Sequence, residues 1–219
     1  LTPPGLKFGA LINPNSRRNR RRPPDLSALR RMGIPVEIPA TVGGMHAALV
    51  RLAAAEVDVL GISGGDGAVL AALTAILCEK AFERPPILCL LPGGTTNMTA
   101  ADVGLRGRNA SFATAAKLAL AGGGRIVTRP VLRLDGVIDA AGVEGPRAGM
   151  FFGAVGICRA ITFCRRHLHS RGVVGGAASW LTLAPLLLRN LLSADPEGVL
   201  AGAPATIRLM RNGVSTETL

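Results

Sequence analysis

Aromatic side chains are scarce in this sequence of 219 residues: Phe, Trp and Tyr together make up 3%, and Tyr is absent. Proteins that bind single-stranded nucleic acids stack the bases on aromatic rings. Positive charge is therefore the only feature that favours a nucleic-acid partner, and we expect no such partner. Hydrophobic residues nevertheless make up 48% of the chain, which excludes disorder and provides for a sizeable core.

Acidic residues are also few, since 14 Asp and Glu stand against 25 Lys and Arg and the net charge is +11. Much of the excess lies near the start, in the basic segment Arg17-Arg18-Asn19-Arg20-Arg21-Arg22. Such a charge predicts a partner that carries phosphate or presents an acidic surface. Two interpretations of the segment stay open, namely attraction to that partner and a solvated, mobile loop. A second group of arginines comes later, at Arg159, Arg165, Arg166 and Arg171.

Cysteine is too infrequent for a disulfide framework, with 4 residues in the chain. Cys78 and Cys89 lie in apolar stretches and are predicted to be buried thiols. One uncharged run, Val173–Leu188, is interrupted by glycine and proline and predicts a buried or surface-docking helix rather than a membrane span. A C-x5-C-x2-H-x-H spacing matches no common zinc site, so we expect no metal at its residues. These are Cys158, Cys164, His167 and His169.

Apolar runs alternate with helical periodicities through the first half of the sequence. Strands that alternate with helices of about ten residues are typical of βαβ units and a mostly parallel sheet. We therefore predict an α/β fold whose N-terminal lobe has three layers. The predicted strands are Lys7–Asn13, Val36–Ile38, Val57–Ser63 and Ile87–Leu91, and the predicted helices are Asp25–Met32, Met45–Ala55, Ala68–Leu77 and Ser111–Leu120.

The pattern changes after Gly122-Gly123-Gly124. Residues Arg125–Leu134 alternate between apolar and polar, as in a half-exposed antiparallel strand. Met150–Ile157 and Ala205–Met210 are further strand candidates on either side of a helical section at Cys158–Leu192. We predict two domains, residues 1–122 and 123–219, the second a β-rich lobe with a helical insertion. The sequence begins with Leu rather than Met, and we expect it to be part of a longer polypeptide.

Three polar turns follow predicted strands, and in an open parallel sheet all three lie at the carboxyl edge, where ligands bind. Glycines let the main chain approach a phosphate closely, and helix N-termini favour the anion, so we predict a phosphate site there. Thr95 and Thr96 add hydroxyl donors, and Asn97 is predicted to cap the next helix. The turns are Asn13-Pro14-Asn15-Ser16, Ser63-Gly64-Gly65-Asp66-Gly67 and Leu91-Pro92-Gly93-Gly94-Thr95-Thr96-Asn97.

Asp66 is the one carboxylate lodged inside a glycine turn at a strand end. It can hold Mg²⁺ against the phosphates of a nucleotide or accept a proton from an attacking hydroxyl. The alternative is a tight turn in which Asp66 caps its own helix. Neither G-x-x-x-x-G-K-[ST] nor a G-x-G-x-x-G after a strand occurs, and no Lys lies in either glycine loop. The positive charge would have to come from Arg or from a metal.

The turn Gly64-Gly65-Asp66-Gly67, paired with Leu91–Asn97 further on, resembles the diacylglycerol kinase catalytic domain. That family includes diacylglycerol, sphingosine and bacterial lipid kinases, with NAD kinases as more distant relatives. Asn13-Pro14 matches a third element of the family, and Thr41 matches a threonine that contacts nucleotide in it. The resemblance covers residues 5–120 well and the rest loosely. It implies that residues 123–219 form a β-sandwich-like second lobe, which is incomplete.

The resemblance implies an ATP-dependent, Mg²⁺-assisted transfer of the γ-phosphoryl group to a hydroxyl of a diacylglycerol- or sphingoid-like lipid. Asp66 would be the catalytic residue and the Mg²⁺ ligand, and catalysis would rest on positioning and charge neutralisation. We expect a cytoplasmic protein that contacts the inner, anionic membrane surface through its Arg-rich loops, and a homodimer stays open. The residues implied in ATP binding are Asn13, Thr41, Gly64, Gly65, Asp66, Gly67, Gly94, Thr95 and Asn97.

Three departures from the family pattern bear on activity. Ala68 stands where Thr is usual, and Met98-Thr99-Ala100 stands where Asp-Phe-Ala-Arg is common, so a hydroxyl, a carboxylate and an arginine are missing. The family's further acidic residues, including its proposed general base, lie late in the second lobe, beyond the last residue of this sequence. The base is therefore unassigned, and we expect this region to be inactive alone. Two alternatives stay open, an NAD-kinase-like phosphotransferase and a nucleotide-binding regulatory protein that has lost catalysis.

Overall fold

The computed structural model describes residues 5–41, 43–105, 111–138, 142–151, 207–211 and 214–218. The chain divides into two compact units, residues 1–152 and 153–219. In the second unit, β7 (Ile207–Arg211) and β8 (Val214–Thr218) form an antiparallel pair. The elements of the first unit are β1 (Phe8–Ile12), α1 (Arg17–Arg21), α2 (Leu26–Arg31), β2 (Val36–Glu37), α3 (Gly44–Ala54), β3 (Val59–Gly64), α4 (Asp66–Leu77), β4 (Ile87–Pro92), α5 (Met98–Asp102), α6 (Phe112–Leu120), β5 (Leu132–Ile138) and β6 (Glu144–Gly149).

Four parallel strands form the main sheet of the first unit, in the spatial order β2-β1-β3-β4. Every residue of β1 and β3 is buried, as expected for central strands covered on both faces. The chain runs from β1 outward to β2 and then crosses to β3 on the other side of β1. The strand order therefore reverses between β1 and β3, and open α/β sheets bind ligands beyond the carboxyl ends of the strands at such a switch point.

Helices cover both faces of this sheet because successive side chains of a strand point to opposite sides. One core cluster joins Leu11, Leu60 and Ile62 to α3 and α4. The other joins Phe8 and Ile12 to α2 and α6. The α/β fold with a three-layer N-terminal lobe is thus confirmed.

The antiparallel pair β5–β6 packs against α4, where the backbone N–H of Ala148 donates to the buried Oγ1 of Thr74 at 3.0 Å. The strand expected at Arg125–Leu134 is wrong in position, because β5 begins only at Leu132. Pro130 lacks the N–H that a ladder needs. The residue before it, Arg129, is bound through Nε to Asp102 Oδ2 at 2.7 Å. The domain boundary expected near residue 122 stays a prediction.

The arginine-rich segment is not the loop that was one interpretation of its sequence. Residues Arg17–Arg21 form the short helix α1, whose central Asn19 is buried. The backbone N–H of Arg18 donates to the carbonyl of Gly93 at 2.9 Å, which fixes α1 against the loop after β4. Specific backbone and amide contacts therefore order this part of the segment despite its charge.

Several sequence predictions concern other parts of the chain. Cys78 and Cys89 are half-buried rather than fully buried, and burial raises the pKa of the Cys89 thiol. Within the described residues no helix is both long and apolar enough to cross a membrane. The proposed helical section Cys158–Leu192, with the later arginine cluster, the C-x5-C-x2-H-x-H residues and the uncharged run, lies outside the described residues, as does most of Met150–Ile157.

Candidate functional site

Three turns meet at the carboxyl edge of the main sheet. The pairing of Ile12 with Ser63 and of Gly64 with Pro92 brings the ends of β1, β3 and β4 to one level. Helices α1, α4 and α5 begin within a few residues of those ends. The common edge expected for the three turns is confirmed by this register.

A cavity of about 370 Å³ opens at this edge, beside the switch point between β1 and β3. Its size is in the range of small-molecule sites in proteins. Among the residues singled out from the sequence, Asn13, Thr41, Gly65, Gly67 and Gly94 line the cavity. The wall is completed by Asn15, Ser16, Pro39, Ala40, Met45, Ala68 and Ala71.

Gly64, Asp66, Thr95 and Asn97 do not line this cavity. Thr95 is exposed. Gly64 and Asn97 instead form hydrogen bonds with the backbone of the loop after β4. Asp66 accepts a hydrogen bond from the start of α5.

The two glycine loops pack backbone against backbone. The N–H of Gly93 donates to the carbonyl of Gly64 at 2.8 Å. A Cβ on Gly94 would lie 2.5 Å from the Cα of Gly65, and a Cβ on Gly65 would lie 3.0 Å from the Cα of Gly94. Glycine is required at these positions because another residue would push the loops apart.

Gly67 differs from these glycines, because no described atom lies within 4 Å of where its Cβ would be, apart from its chain neighbours and the backbone of its own helix. It is exposed and belongs to the first turn of α4. Within the described part of the chain, the backbone N–H groups of Asp66 and Gly67 meet no acceptor. The beginning of α4 therefore presents donors and the positive end of a helix dipole beside the cavity wall.

The carboxylate of Asp66 binds the start of a different helix. Its Oδ1 accepts hydrogen bonds from both the backbone N–H and the hydroxyl of Thr99, each at 2.9 Å. Thr99 is 4% exposed and is the second residue of α5, so Asp66 caps α5 rather than α4, whose N-cap is Gly65. The alternative that Asp66 caps its own helix is wrong. No described residue donates to the second carboxylate oxygen, Oδ2.

Asn97 stands just before α5 but makes no side-chain capping bond to it, which corrects the prediction. Its backbone is in the left-handed region, with φ of 52°. The side chain turns back to Gly94, accepting from its N–H at 2.7 Å through Oδ1 and donating to its carbonyl at 3.2 Å through Nδ2. Asn97 therefore fixes the glycine loop, and Asp66 supplies the cap that Asn97 does not.

The opposite wall of the cavity comes from the segment after β2. Thr41 Oγ1 accepts from the N–H of Gly44 at 3.1 Å, so the hydroxyl proton is left to donate to a ligand. Asn15 Nδ2 donates to the carbonyl of Ala40 at 3.0 Å, which ties this segment to the turn after β1. In that turn Asn15 N–H donates to Asn13 Oδ1 at 2.9 Å, an Asx turn.

Asn15 and Ser16 belong to a turn that the sequence places at this edge, but neither is among the residues expected to bind ATP, and Asn19 is expected only as part of the basic segment. The spacing of Asn13, Asn15 and Ser16 is typical of an Asx turn leading into a helix, and this signal could have identified the first two. Asn19 gave no comparable signal, because it appears as one polar residue within a run of arginines. Its partners lie 6 and 44 residues away along the chain.

Positive charge lies next to these loops. The guanidinium of Arg18 is half-buried and donates from Nη1 to the carbonyl of Pro92 at 3.2 Å. Arg20, Arg21 and Arg22 are exposed, and none of them takes part in an ion pair with a described residue. Across the described residues, no group of three or more His, Cys, Asp or Glu side chains could hold a metal by itself.

The same residues that form the sheet and its edge match a family model. The model of the diacylglycerol kinase catalytic domain matches residues 7–127, more than half of the chain. The chain belongs to this family. The expected family is thereby confirmed, and it is a family of lipid kinases.

Diacylglycerol kinase proteins are also found among the solved structures that are similar to this chain. A diacylglycerol kinase from Bacillus anthracis is 22% identical, with a TM-score of 0.43, and the match covers 58% of this chain and 43% of that one. A putative diacylglycerol kinase from the same organism is 22% identical with a TM-score of 0.41, and the match covers 58% of this chain and 44% of that one. The chain thus spans less than half of these structures. No curated protein matches it significantly.

Proposed function

We propose that this chain carries the nucleotide-binding lobe of an ATP-dependent lipid kinase. The enzyme would transfer the γ-phosphoryl group to a hydroxyl of a diacylglycerol- or sphingoid-like lipid. The observation that carries the proposal is the cavity at the switch point, with the beginning of α4 and two glycine loops at its wall. The family assignment supports a kinase of this class.

The wall of the cavity suits a polyphosphate. The N–H groups at the start of α4, which meet no acceptor among the described residues, favour an anion, and the glycine at position 67 lets the main chain come close to it. The Thr41 hydroxyl and the Asn13 and Asn15 side chains add polar groups on the other side. Because phosphoryl transfer depends on positioning and charge neutralisation, a rigid set of donors is the contribution that the chain's own residues would make.

The residues present fit a bound Mg²⁺. Asp66 Oδ1 is held by Thr99, while no described residue donates to Oδ2, so one carboxylate oxygen is left for a cation. Mg²⁺ is commonly bound by one or two carboxylates together with substrate phosphates. When bound, the ion would neutralise phosphate charge. Asp66 would hold it, and Thr99 would keep the carboxylate in one orientation.

The same contacts favour a second candidate function, a nucleotide-binding regulatory protein without transfer activity. Asp66 has a structural role as the cap of α5, so its presence alone does not require catalysis. Ala68 and Met98 also lack the hydroxyl and carboxylate that the family pattern would supply. Such a protein would bind ATP in the same cavity and leave the γ-phosphoryl group in place.

The exposed side chains of Arg20, Arg21 and Arg22 support peripheral contact with an anionic membrane surface, consistent with a cytoplasmic protein that reaches a lipid substrate. Each basic residue near such a surface contributes about 1 kcal/mol. Sedimentation with liposomes tests this contact. We expect binding to vesicles that contain anionic lipid, and equal binding to neutral vesicles would contradict the proposal.

The function itself is tested by incubating the full-length protein with γ-labelled ATP and one acceptor at a time. The acceptors are diacylglycerol, sphingoid bases and NAD. We expect labelled lipid, and labelled NADP instead would identify an NAD-kinase-like enzyme. ATP binding without transfer to any acceptor would favour the regulatory protein.

Asp66→Asn is the matched variant for this assay. Its amide oxygen can still accept both hydrogen bonds from Thr99, so α5 should stay capped while the negative charge is lost. We expect ATP to bind in the absence of Mg²⁺ but transfer to fall by at least about a hundredfold, the loss typical of removing one group that stabilises charge in a transition state. Transfer unaffected by the substitution would refute the role of Asp66.

A further inference from the structure

A buried asparagine joins the ends of the two strands that flank the switch point. Asn19, which is 6% exposed, lies in α1 and extends its side-chain amide between β1 and β3. Its Nδ2 donates to the carbonyl of Asn13 at 2.9 Å and to the carbonyl of Ser63 at 3.2 Å. Its Oδ1 accepts from the Ser63 hydroxyl at 3.0 Å.

These contacts cover the carbonyl of Asn13, which follows β1 directly, and the carbonyl of Ser63, the last residue but one of β3. Parallel strands present carbonyl oxygens at the carboxyl edge, and the partial negative charge of such an oxygen opposes a phosphate in a site of low dielectric constant. The Asn13 carbonyl also accepts from the backbone N–H and the hydroxyl of Ser16, at 3.3 and 2.9 Å. The Ser63 carbonyl also accepts from Asn13 N–H at 2.9 Å. Both oxygens are therefore fully engaged.

The residues that Asn19 holds are adjacent to the cavity wall. Asn13 lines the cavity, and Gly65, two positions after Ser63, lines it as well. Asn19 itself does not line it. Any effect of Asn19 on a ligand must therefore pass through the turn after β1 and the end of β3.

We propose that Asn19 is a positioning residue that makes this edge selective for polyphosphate. It holds the Asn13 and Ser63 carbonyls in hydrogen bonds and fixes the spacing of the two strand ends. The inference rests on the proposed function, since it concerns the nucleotide phosphates. It predicts that a substitution of Asn19 lowers the affinity for a ligand, and that this loss increases with the number of phosphates on the ligand.

The test is isothermal titration of the full-length protein and its Asn19→Asp variant with adenosine, AMP, ADP, ATP and inorganic tripolyphosphate. A carboxylate of the same shape cannot donate to either carbonyl and adds a negative charge. We expect the affinity for adenosine to stay within about twofold of the wild type, because this ligand carries no charge. The loss should grow along the series and reach about tenfold or more for ATP and tripolyphosphate.

Two further variants complete the design. Arg30→Gln changes the net charge by the same amount at an exposed position of α2, and it should leave the slope of affinity against phosphate number nearly unchanged. Ser63→Ala removes the hydroxyl that holds Asn19 Oδ1 without adding charge. Ser63→Ala should cause a smaller loss of affinity than Asn19→Asp, and this loss should also increase with the number of phosphates. If Asn19→Asp does not fold, Ser63→Ala alone tests the inference.

The outcomes separate this inference from the proposed function. Equal losses for adenosine and ATP would show that Asn19 only stabilises the fold, and would overturn the inference. ATP binding by the wild type with no loss in either variant would overturn the inference alone. A wild-type protein that binds neither ATP nor tripolyphosphate would overturn both.

Discussion

Replacing Gly67 by alanine adds one methyl group at a point where no described atom lies within 4 Å, apart from the chain neighbours and the backbone of the same helix. The residue is in the first turn of α4, and its backbone needs no positive φ. Alanine is therefore compatible with the fold here, and it removes part of the conformational entropy that glycine loses on folding. We expect the free energy of unfolding to rise by about 0.5–1 kcal/mol, because that is the usual cost of glycine relative to alanine within a helix.

The same methyl group should weaken nucleotide binding. Gly67 lines the cavity, and its N–H is one of the donors that no described residue occupies. A methyl group beside that N–H would keep a phosphate oxygen from approaching to hydrogen-bond distance. We expect the Kd for ATP to rise by at least about tenfold, which corresponds to about 1.4 kcal/mol of binding free energy.

Gly94→Ala is the matched comparison, because its Cβ would lie 2.5 Å from the Cα of Gly65. Overpacking of this kind costs about 1–3 kcal/mol, so this variant should lose stability as well as affinity. The assay is a urea titration for stability together with calorimetric titration of ATP, both on the full-length protein. If Gly67→Ala binds ATP as tightly as the wild type, the reasoning that places phosphate at the start of α4 is refuted.

Two further predictions concern capping groups. Thr99→Val removes the hydrogen bond from the hydroxyl to Asp66 Oδ1 but keeps the one from the backbone N–H. We expect urea titration to show that the free energy of unfolding falls by about 1–2 kcal/mol, while Thr99→Ser stays close to the wild type. A Val variant as stable as the wild type would contradict the cap. Asp25 caps α2, and hydrogen bonds from the Ser27 hydroxyl and N–H lower the pKa of its carboxyl from 3.8. The contribution of this cap to stability should be complete above pH 3.8 and be lost as the pH falls through the lowered pKa. Thermal melting should therefore show a smaller loss of stability in acid for Asp25→Asn than for the wild type. Identical pH profiles of the two proteins would contradict the role of this carboxyl.

The helices and strands of the first unit were largely predictable, because their signals are local. The buried runs that became β1, β3 and β4 are short, apolar and followed by turn residues. The helix α1 was not predicted, because a run of arginines has no apolar periodicity and the helix depends on Asn19 and on the contact of Arg18 with Gly93. The start of β5 was misplaced, since alternation suggested a strand on both sides of Pro130.

The candidate site divides in the same way. The sequence by itself determined which turns lie at the carboxyl edge, because parallel strands all end on one side of a sheet, and it indicated glycine where the main chain must come close to a ligand. Only the tertiary structure decided what the polar side chains do there. Asp66 caps a helix whose Thr99 is 33 residues away, and Asn97 turns back to Gly94. Asn19 joins two strand ends. A hydrogen bond depends on distances of about 3 Å, which local sequence patterns do not fix between distant segments.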